Sequence, residues 1–307
     1  MSKIYVIAGP TASGKTAVAV ALAKLVGGEV ISADSMQIYK GMDIGTAKPT
    51  ADEKDRIPHH MIDIVNPDEL YSAALYQQEA RRIIANVQAC GRVPILCGGT
   101  GFYINAVLRD IHFADDCEDD PMRDYYTQMA AEKGAEYMHA LLEAADPAAA
   151  VAIHANNVKR VVRALSYCRA TGQLFSQHNQ VQKKQPSLYE AVFCCLEMDR
   201  ALLYERINLR VHNMFEAGLV DEVAGLMAKG YGPDLVSMQG IGYKEIVPYL
   251  RGECTLDDAI GAIQQNSRHY AKRQMTWFRN QNPEADYITV SVAEVDDVAR
   301  QIALLTP

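Results

Sequence analysis

The 307-residue chain has no apolar run of membrane-spanning length. Its longest runs, such as Ala17–Ala23, fall far short of the ~20 residues a bilayer-crossing helix needs. It also lacks a signal-peptide core, because the apolar run Ile4–Ala8 is too short and flows into a glycine-rich turn, not a cleavage site. The seven cysteines (Cys90, Cys97, Cys117, Cys168, Cys194, Cys195 and Cys254) are odd in number and form no CxxC pair. That argues against a disulfide framework and a zinc cage. No internal repeat or low-complexity tract is present. These absences together predict a cytoplasmic protein. Hydrophobic residues at 49% and charged residues at 22% exclude wholesale disorder, and the length suits one large domain or two smaller ones.

A local absence is more informative than the net charge of −8. From Pro147 to Tyr189 there is no acid, against six bases: Lys159, Arg160, Arg163, Arg169, Lys183 and Lys184. By contrast, Asp115–Asp120 holds five acids in six residues. Segment charge, not whole-chain charge, governs attraction to a polyanion. Such a segment is either a solvated helix face or a binding stripe.

The chain order gives the fold class. Ile4–Ala8 reads as a strand ending at Gly9, and Gly14–Val26 as a helix stopped by Gly27 and Gly28. Glu29–Ala33 is a strand ending at Asp34. Arg81–Ala89 is helical, Val93–Cys97 is a third strand ending in Gly98-Gly99-Thr100-Gly101, and a helix follows over Phe102–Leu108. Strand, glycine turn and helix in repetition predict a parallel sheet covered by helices. Met122–Gly172 reads as helices alone, after which Tyr189–Leu196 and Tyr287–Val290 return to strand character. The expected architecture is α/β: a P-loop NTPase-like parallel sheet flanked by helices (residues 1–114 and 186–307), with an all-helical insertion at 115–185.

Gly9-Pro10-Thr11-Ala12-Ser13-Gly14-Lys15-Thr16 fits G-x-x-x-x-G-K-[ST], and it follows a strand and opens a helix, as the motif requires. Its backbone N–H groups converge on phosphate oxygens and the helix N-terminus adds partial positive charge. Lys15 supplies a point charge, and Thr16 a hydroxyl ligand for Mg²⁺. The motif specifies a diphosphate or triphosphate without naming it. The strand-end acid usual in P-loop NTPases is missing from Val93–Cys97. Asp34 is instead the acid at a strand end, near the P-loop, where a carboxylate serves a metal or accepts a substrate proton.

Eight stretches, in order along almost the whole chain, carry a resemblance: Gly9–Thr16, Ser32–Tyr39 (SADSMQIY), Asp43–Lys48 (DIGTAK), Pro58–Asp63 (PHHMID), Gly98–Tyr103 (GGTGFY), Lys159–Leu165 (KRVVRAL), Gln239–Glu245 (QGIGYKE) and Lys272–Arg279 (KRQMTWFR). The chain resembles the tRNA dimethylallyltransferases, also called tRNA isopentenyltransferases. Its end, without the zinc-finger extension of some eukaryotic members, resembles the bacterial type. The resemblance implies transfer of a dimethylallyl group from dimethylallyl diphosphate to the exocyclic amine of the adenosine 3′ to the anticodon, with Mg²⁺ as cofactor. No obligate protein partner is evident in the sequence, and a monomer is expected. Asp34 would accept the amine proton, and residues Gly9 to Thr16 would hold the diphosphate, with Lys15 and Arg210 on its charge and Thr16 on the metal. Thr100 would touch the target nucleotide or diphosphate. Asp34, Ser35, Met36, Gln37 and the stretch Lys159, Arg160, Val161, Val162, Arg163 would contact tRNA.

On a helix over Val158–Arg169, the residues Val161, Val162, Leu165 and Cys168 share one face, and Lys159, Arg160 and Arg163 the other. The single tryptophan, Trp277, lies in a second acid-free stretch, Arg268–Arg279, and is expected in the core rather than stacked on a base. The pair His59 and His60 has no third ligand at metal spacing nearby and is expected in turn or hydrogen-bonding roles.

Overall fold

The computed structural model describes residues 3–111, 113, 121–183, 185–290 and 294–305. It divides into two compact units, 1–108 with 188–307, and 109–187. In chain order the first unit opens with β1 (Lys3–Ala8), α1 (Lys15–Val26), β2 (Gly28–Ser32), α2 (Ala51–Lys54), β3 (His59–His60), α3 (Ala73–Ala89), β4 (Val93–Gly98) and α4 (Gly101–Leu108). The second unit holds α5 (Pro121–Lys133), α6 (Ala135–Ala145), α7 (Pro147–Ala152), α8 (Val158–Thr171) and α9 (Phe175–Lys183). The first unit resumes with β5 (Glu190–Glu197), α10 (Arg200–Glu216), α11 (Leu219–Ala228), α12 (Ile246–Leu250), α13 (Leu256–Gln281), β6 (Asp286–Thr289) and α14 (Val295–Leu304).

The six strands form one sheet in the order β3-β2-β4-β1-β5-β6, every pair parallel. Parallel strands need covered faces, and β1 shows how its sequence supplies both. Ile4, Val6 and Ala8 face one core with Ile31, Leu96, Tyr76, Ile84, Ile104 and Phe278. Tyr5 and Ile7 face the other with Val30, Ile95, Val18 and Leu22 of α1, and Val298 and Ile302 of α14. Period-two alternation in a run that is apolar throughout therefore feeds two cores. A third core gathers Ile38, Tyr39 and Met42 with Val211, Leu219, Val223, Tyr243 and Ile263.

Two expectations need correction. The helix read over Arg81–Ala89 starts at Ala73, because the Ser72 side chain caps it by accepting the Leu75 N–H, a cap worth about 1 kcal/mol. Its buried stripe is Tyr76, Ala80, Ile84 and Val87. The strand Val93–Cys97 is the fourth in sequence, since His59–His60 adds an edge strand parallel to β2. There His60 Nε2 lies 2.6 Å from Glu29 and His59 Nδ1 lies 2.9 Å from the Ile57 carbonyl. Trp277, expected in the core, is half-buried and packs against the first of these cores, its ring edge-on to that of Phe278.

The second unit spans 109–187, where the sequence suggested 115–185; Arg109 and Ser187 form an antiparallel bridge at its root. The acidic stretch Asp115–Asp120 and Lys184 lie outside the described residues. Its core is Met138, Leu142, Ala149, Val161, Leu165 and Phe175. Asp146, fully buried, caps α7 by accepting from Ala149 N and also accepts from Ser176 N and Oγ of α9. No helix among the described residues is long and apolar enough to cross a membrane.

Candidate active site

Because all strands run parallel, their carboxyl ends open on one side of the sheet. Ala8 of β1 is level with Gly98 of β4 and Cys195 of β5, and Ser32 of β2 is level with Cys97. The P-loop follows Ala8, Asp34 follows Ser32 by two residues, and Gly99-Thr100 follows β4.

Asp34 is held from both sides by the end of β4. Ala33 N donates to the Cys97 carbonyl (2.8 Å), Thr100 N donates to the Ala33 carbonyl (3.0 Å), and Ser35 N donates to Thr100 Oγ1 (3.1 Å). A Cβ on Gly98 would sit 2.2 Å from the Ala33 carbonyl oxygen, so this approach requires glycine. Asp34 Oδ1 accepts from Met36 N at 2.9 Å, and Gln37 Oε1 accepts from Ser32 Oγ at 3.1 Å. Beneath the turn, buried Tyr76 donates to the Ser32 carbonyl and stacks on Tyr103 with ring centroids 4.0 Å apart.

Lys15 opens α1, and its Nζ donates to the Pro10 carbonyl at 2.6 Å. Ala12, at the crest of the loop, has φ 63° and is buried against Leu203, Ile207 and Ala271. Two arginines one turn apart on α10 reach the same loop. Arg206 Nε donates to the Ala12 carbonyl (2.8 Å) and Arg210 Nη1 to Thr11 Oγ1 (3.4 Å). Arg210, inferred from the resemblance, is therefore beside the P-loop, as is Arg206, which sequence reasoning missed; the four-residue spacing of the two arginines was the available signal.

Gln274 of α13 was also missed. Buried at 6% exposure, it accepts from Thr11 N (2.8 Å) through Oε1 and donates through Nε2 to the Gly99 carbonyl (3.0 Å). It thus ties the P-loop to the turn carrying Thr100. One helical turn away, the Tyr270 hydroxyl contacts Thr100 and Gln274. Neither residue carries a charge, so nothing in the basic run around them marks their role.

Burial dominates the electrostatics. It lowers Lys15 to about 8, further aided by Arg210 and opposed by Asp34. It raises Asp34 above the usual aspartate value, against the pull of the Met36 N–H and the Lys15 ammonium. Burial also lowers Arg210 from its ordinary value, with Arg206 adding to the effect. Lys15, Asp34 and Arg210 therefore share one field, in which each bare charge is costly and an anionic ligand would relieve the two cations.

β4 ends in Gly98 without an acid; the acid that ends β5, Glu197, is ion-paired with Arg279 at 2.8 Å. Oxygen donors suited to a hard divalent cation are present. They are the Thr16 hydroxyl in the first turn of α1, the Asp34 carboxylate, and the buried Ser13 Oγ, which has no hydrogen-bond partner. No cluster of three or more His, Cys, Asp or Glu side chains able to hold a metal occurs among the described residues. This donor set fits a cation that shares its coordination with substrate phosphates.

In the second unit, α8 presents Lys159 and Arg160 to solvent, while Arg163 is half-buried. Val161 and Val162 are 0% and 4% exposed and belong to the core. The stretch expected to contact tRNA therefore offers these two valines as packing, because the 3.6-residue period turns them away from the basic face.

A P-loop at the end of β1 in a parallel sheet, with a carboxylate just after β2 on the far side of β4, defines a P-loop NTPase-like protein. Residues 37–281 match the sequence family described as IPP transferase. The tRNA dimethylallyltransferase of Lachnoclostridium phytofermentans is 46% identical over 95% of this chain and 92% of its own length. That of Geobacillus thermodenitrificans is 50% identical over 92% and 89%. Among solved structures, the full-length tRNA isopentenylpyrophosphate transferase of Bacillus halodurans superposes with a TM-score of 0.73 at 44% identity, covering 99% of this chain and 96% of that one. A eukaryotic dimethylallyltransferase acting on tRNA gives 0.84 at 27% identity, over 98% and 78%. The chain belongs to the IPP transferase family, the tRNA dimethylallyltransferases.

Proposed function

We propose that the chain transfers a dimethylallyl group from dimethylallyl diphosphate to the exocyclic amine of the adenosine 3′ to the anticodon in tRNA, giving isopentenyladenosine. The observation that carries this reading is Asp34 fixed beside an intact P-loop by the end of β4. The P-loop amides, Lys15 and Arg210 take up the charge of the departing diphosphate as the allylic C–O bond breaks. The amine nitrogen forms the new bond to carbon, and its proton passes to the Asp34 carboxylate. Thr100 and the Asp34–Gln37 turn hold the adenosine, which must leave its stack to reach the carboxylate. Thr16 and the diphosphate oxygens would hold Mg²⁺, which would add positive charge to the leaving group. The protein works as a cytoplasmic monomer. Diphosphate release that requires both dimethylallyl diphosphate and tRNA tests the reading; tRNA-independent phosphate transfer from ATP would replace it with a small-molecule kinase.

The titrations of the site fix a pH profile. Asp34 works as an anion, so kcat/KM for the donor is expected to fall as pH drops through a value above the ordinary aspartate range. Lys15 works as a cation, so kcat/KM is expected to fall again as pH rises through about 8. Bound diphosphate favours the ammonium form, so the alkaline limb of kcat should lie higher than that of kcat/KM. A profile flat to well above pH 8 would remove Lys15 from the free-enzyme titration.

On α8, Lys159→Glu with Arg160→Glu is expected to weaken tRNA binding. Removing each cation–phosphate interaction should flatten the log–log salt dependence by about 0.7–0.9. An unchanged slope between low and moderate salt would make this face plain solvated surface.

A further inference from the structure

Three of the stretches that carry the family resemblance, Asp43–Lys48, Pro58–Asp63 and Gln239–Glu245, contain no residue used in the chemistry above, yet all converge on the Asp34–Gln37 turn. The first and third of them meet at Glu222, on α11. Its Oε2 accepts from Asp43 N (2.9 Å) and Ile44 N (2.8 Å), and its Oε1 accepts from Gly45 N (3.1 Å) and from the Tyr243 hydroxyl (2.7 Å). Three consecutive backbone N–H groups converging on one point form an anion-binding nest, and here the anion is a side chain of the protein itself. The four bonds are charge-assisted, the stronger class of hydrogen bond. Tyr243 is fully buried, and a Cβ on Gly45 would lie 2.5 Å from its ring, so the loop and the Gln239–Glu245 turn are pressed together at this carboxylate.

The loop held in this way holds the catalytic turn in its place. Gln37 Nε2 donates to the carbonyls of Thr46 (3.3 Å) and Ala47 (3.2 Å), both in the loop. Lys48, its side chain 6% exposed, donates to the Tyr39 carbonyl and Asp43 Oδ1 and pairs with Asp63. Asp63 N in turn donates to the Gln37 carbonyl at 3.1 Å. Gln37 is therefore fixed through side chain and backbone alike, and Asp34, three residues earlier, accepts from backbone N–H groups of this same turn.

We infer that Glu222 is a positioning residue for the transfer reaction: by filling the Asp43–Gly45 nest it fixes the loop against which Gln37 and the Asp34 carboxylate are aligned. The inference rests on the proposed prenyl transfer, and misplacing a reacting group by about 1 Å costs on the order of 10²-fold in rate. Glu222→Gln keeps the shape but loses the charge. It is expected to lower the single-turnover rate at saturating tRNA and donor at least about tenfold, with the donor KM changed less than about twofold, because the P-loop is held separately by Gln274, Arg206 and Arg210. Hydrogen exchange gives a readout independent of the reaction: amides from Met36 to Ala47 should lose protection together. A buried-core variant with a matched loss of Tm, such as Ile302→Ala, should keep its saturated rate. If Glu222→Gln does not fold, Glu222→Asp carries the test, with an expected loss of about three- to tenfold. A rate within twofold of wild type in the folded variant, or exchange faster at Asp43–Gly45 alone, would overturn the inference. Failure of wild-type protein to modify tRNA would instead overturn the function it rests on.

Discussion

Lys15→Ala is expected to lower the single-turnover rate by about 10³-fold, equivalent to ~4 kcal/mol of transition-state stabilisation, while the protein stays folded. Lys15 is the first residue of α1 and its side chain is half-buried at the P-loop, where its Nζ donates to the Pro10 carbonyl. Alanine favours that helical position, so Tm should move by a few degrees at most. The loss falls on chemistry because the charge that lysine meets is greatest when the allylic C–O bond is breaking. Raising the donor concentration should recover little of it. Circular dichroism and a thermal melt check the fold, and rapid-quench product analysis checks the rate. Wild-type turnover in this variant would take the P-loop out of the mechanism.

Asp34→Asn should cost 10²–10⁴-fold in the same step, the usual contribution of a positioned base. Asparagine keeps the size and can still accept the Met36 N–H, so the turn and tRNA affinity should change little. The acid limb of the pH profile should disappear with the carboxylate. Measuring the variant across Mg²⁺ concentration separates the two roles open to this residue. A base leaves a deficit that no concentration of Mg²⁺ repairs, whereas a metal ligand gives a variant that recovers at saturating Mg²⁺. A near-normal rate at ordinary Mg²⁺ would reduce Asp34 to a turn residue.

How far the sequence revealed this arrangement depended on the range of the physics involved. The P-loop was legible because glycine, lysine and threonine at fixed spacing directly encode a backbone conformation. The strands of the sheet were legible because short apolar runs between glycine turns have few alternative readings. Their order was not: β4 lies between β1 and β2 because of how the crossovers pack, and no local pattern records that. The two-residue strand His59–His60 is too short to leave a periodic signal. The first half of α3 was missed because a tyrosine and an alanine, Tyr76 and Ala80, make its buried stripe.

Within the site, residues lying in a motif were found, and those brought in from distant helices, Arg206, Gln274 and Tyr270, were not. Asp34 and Lys15 stand out by chemistry and motif, and Arg210 came from the family resemblance alone. Gln274, Tyr270 and the Tyr76–Tyr103 stack matter through interactions across as many as 263 residues, as between Gln274 and Thr11, and only the fold creates them. Glu222 lies on an ordinary amphipathic helix, and its partners are backbone groups that a sequence cannot display. Val161 and Val162 were named as part of a contiguous matching stretch, although helical periodicity already set them on the face that the structure buries.

The most direct measurement is the mass of purified tRNA after incubation with this protein, dimethylallyl diphosphate and Mg²⁺, followed by nuclease digestion to locate the change. The expected result is one dimethylallyl group, replacing one hydrogen, on the adenosine 3′ to the anticodon, with no product when Asp34→Asn replaces the wild-type protein under the same brief incubation. Unmodified tRNA from folded wild-type protein, with donor and cation in excess, would contradict the assignment.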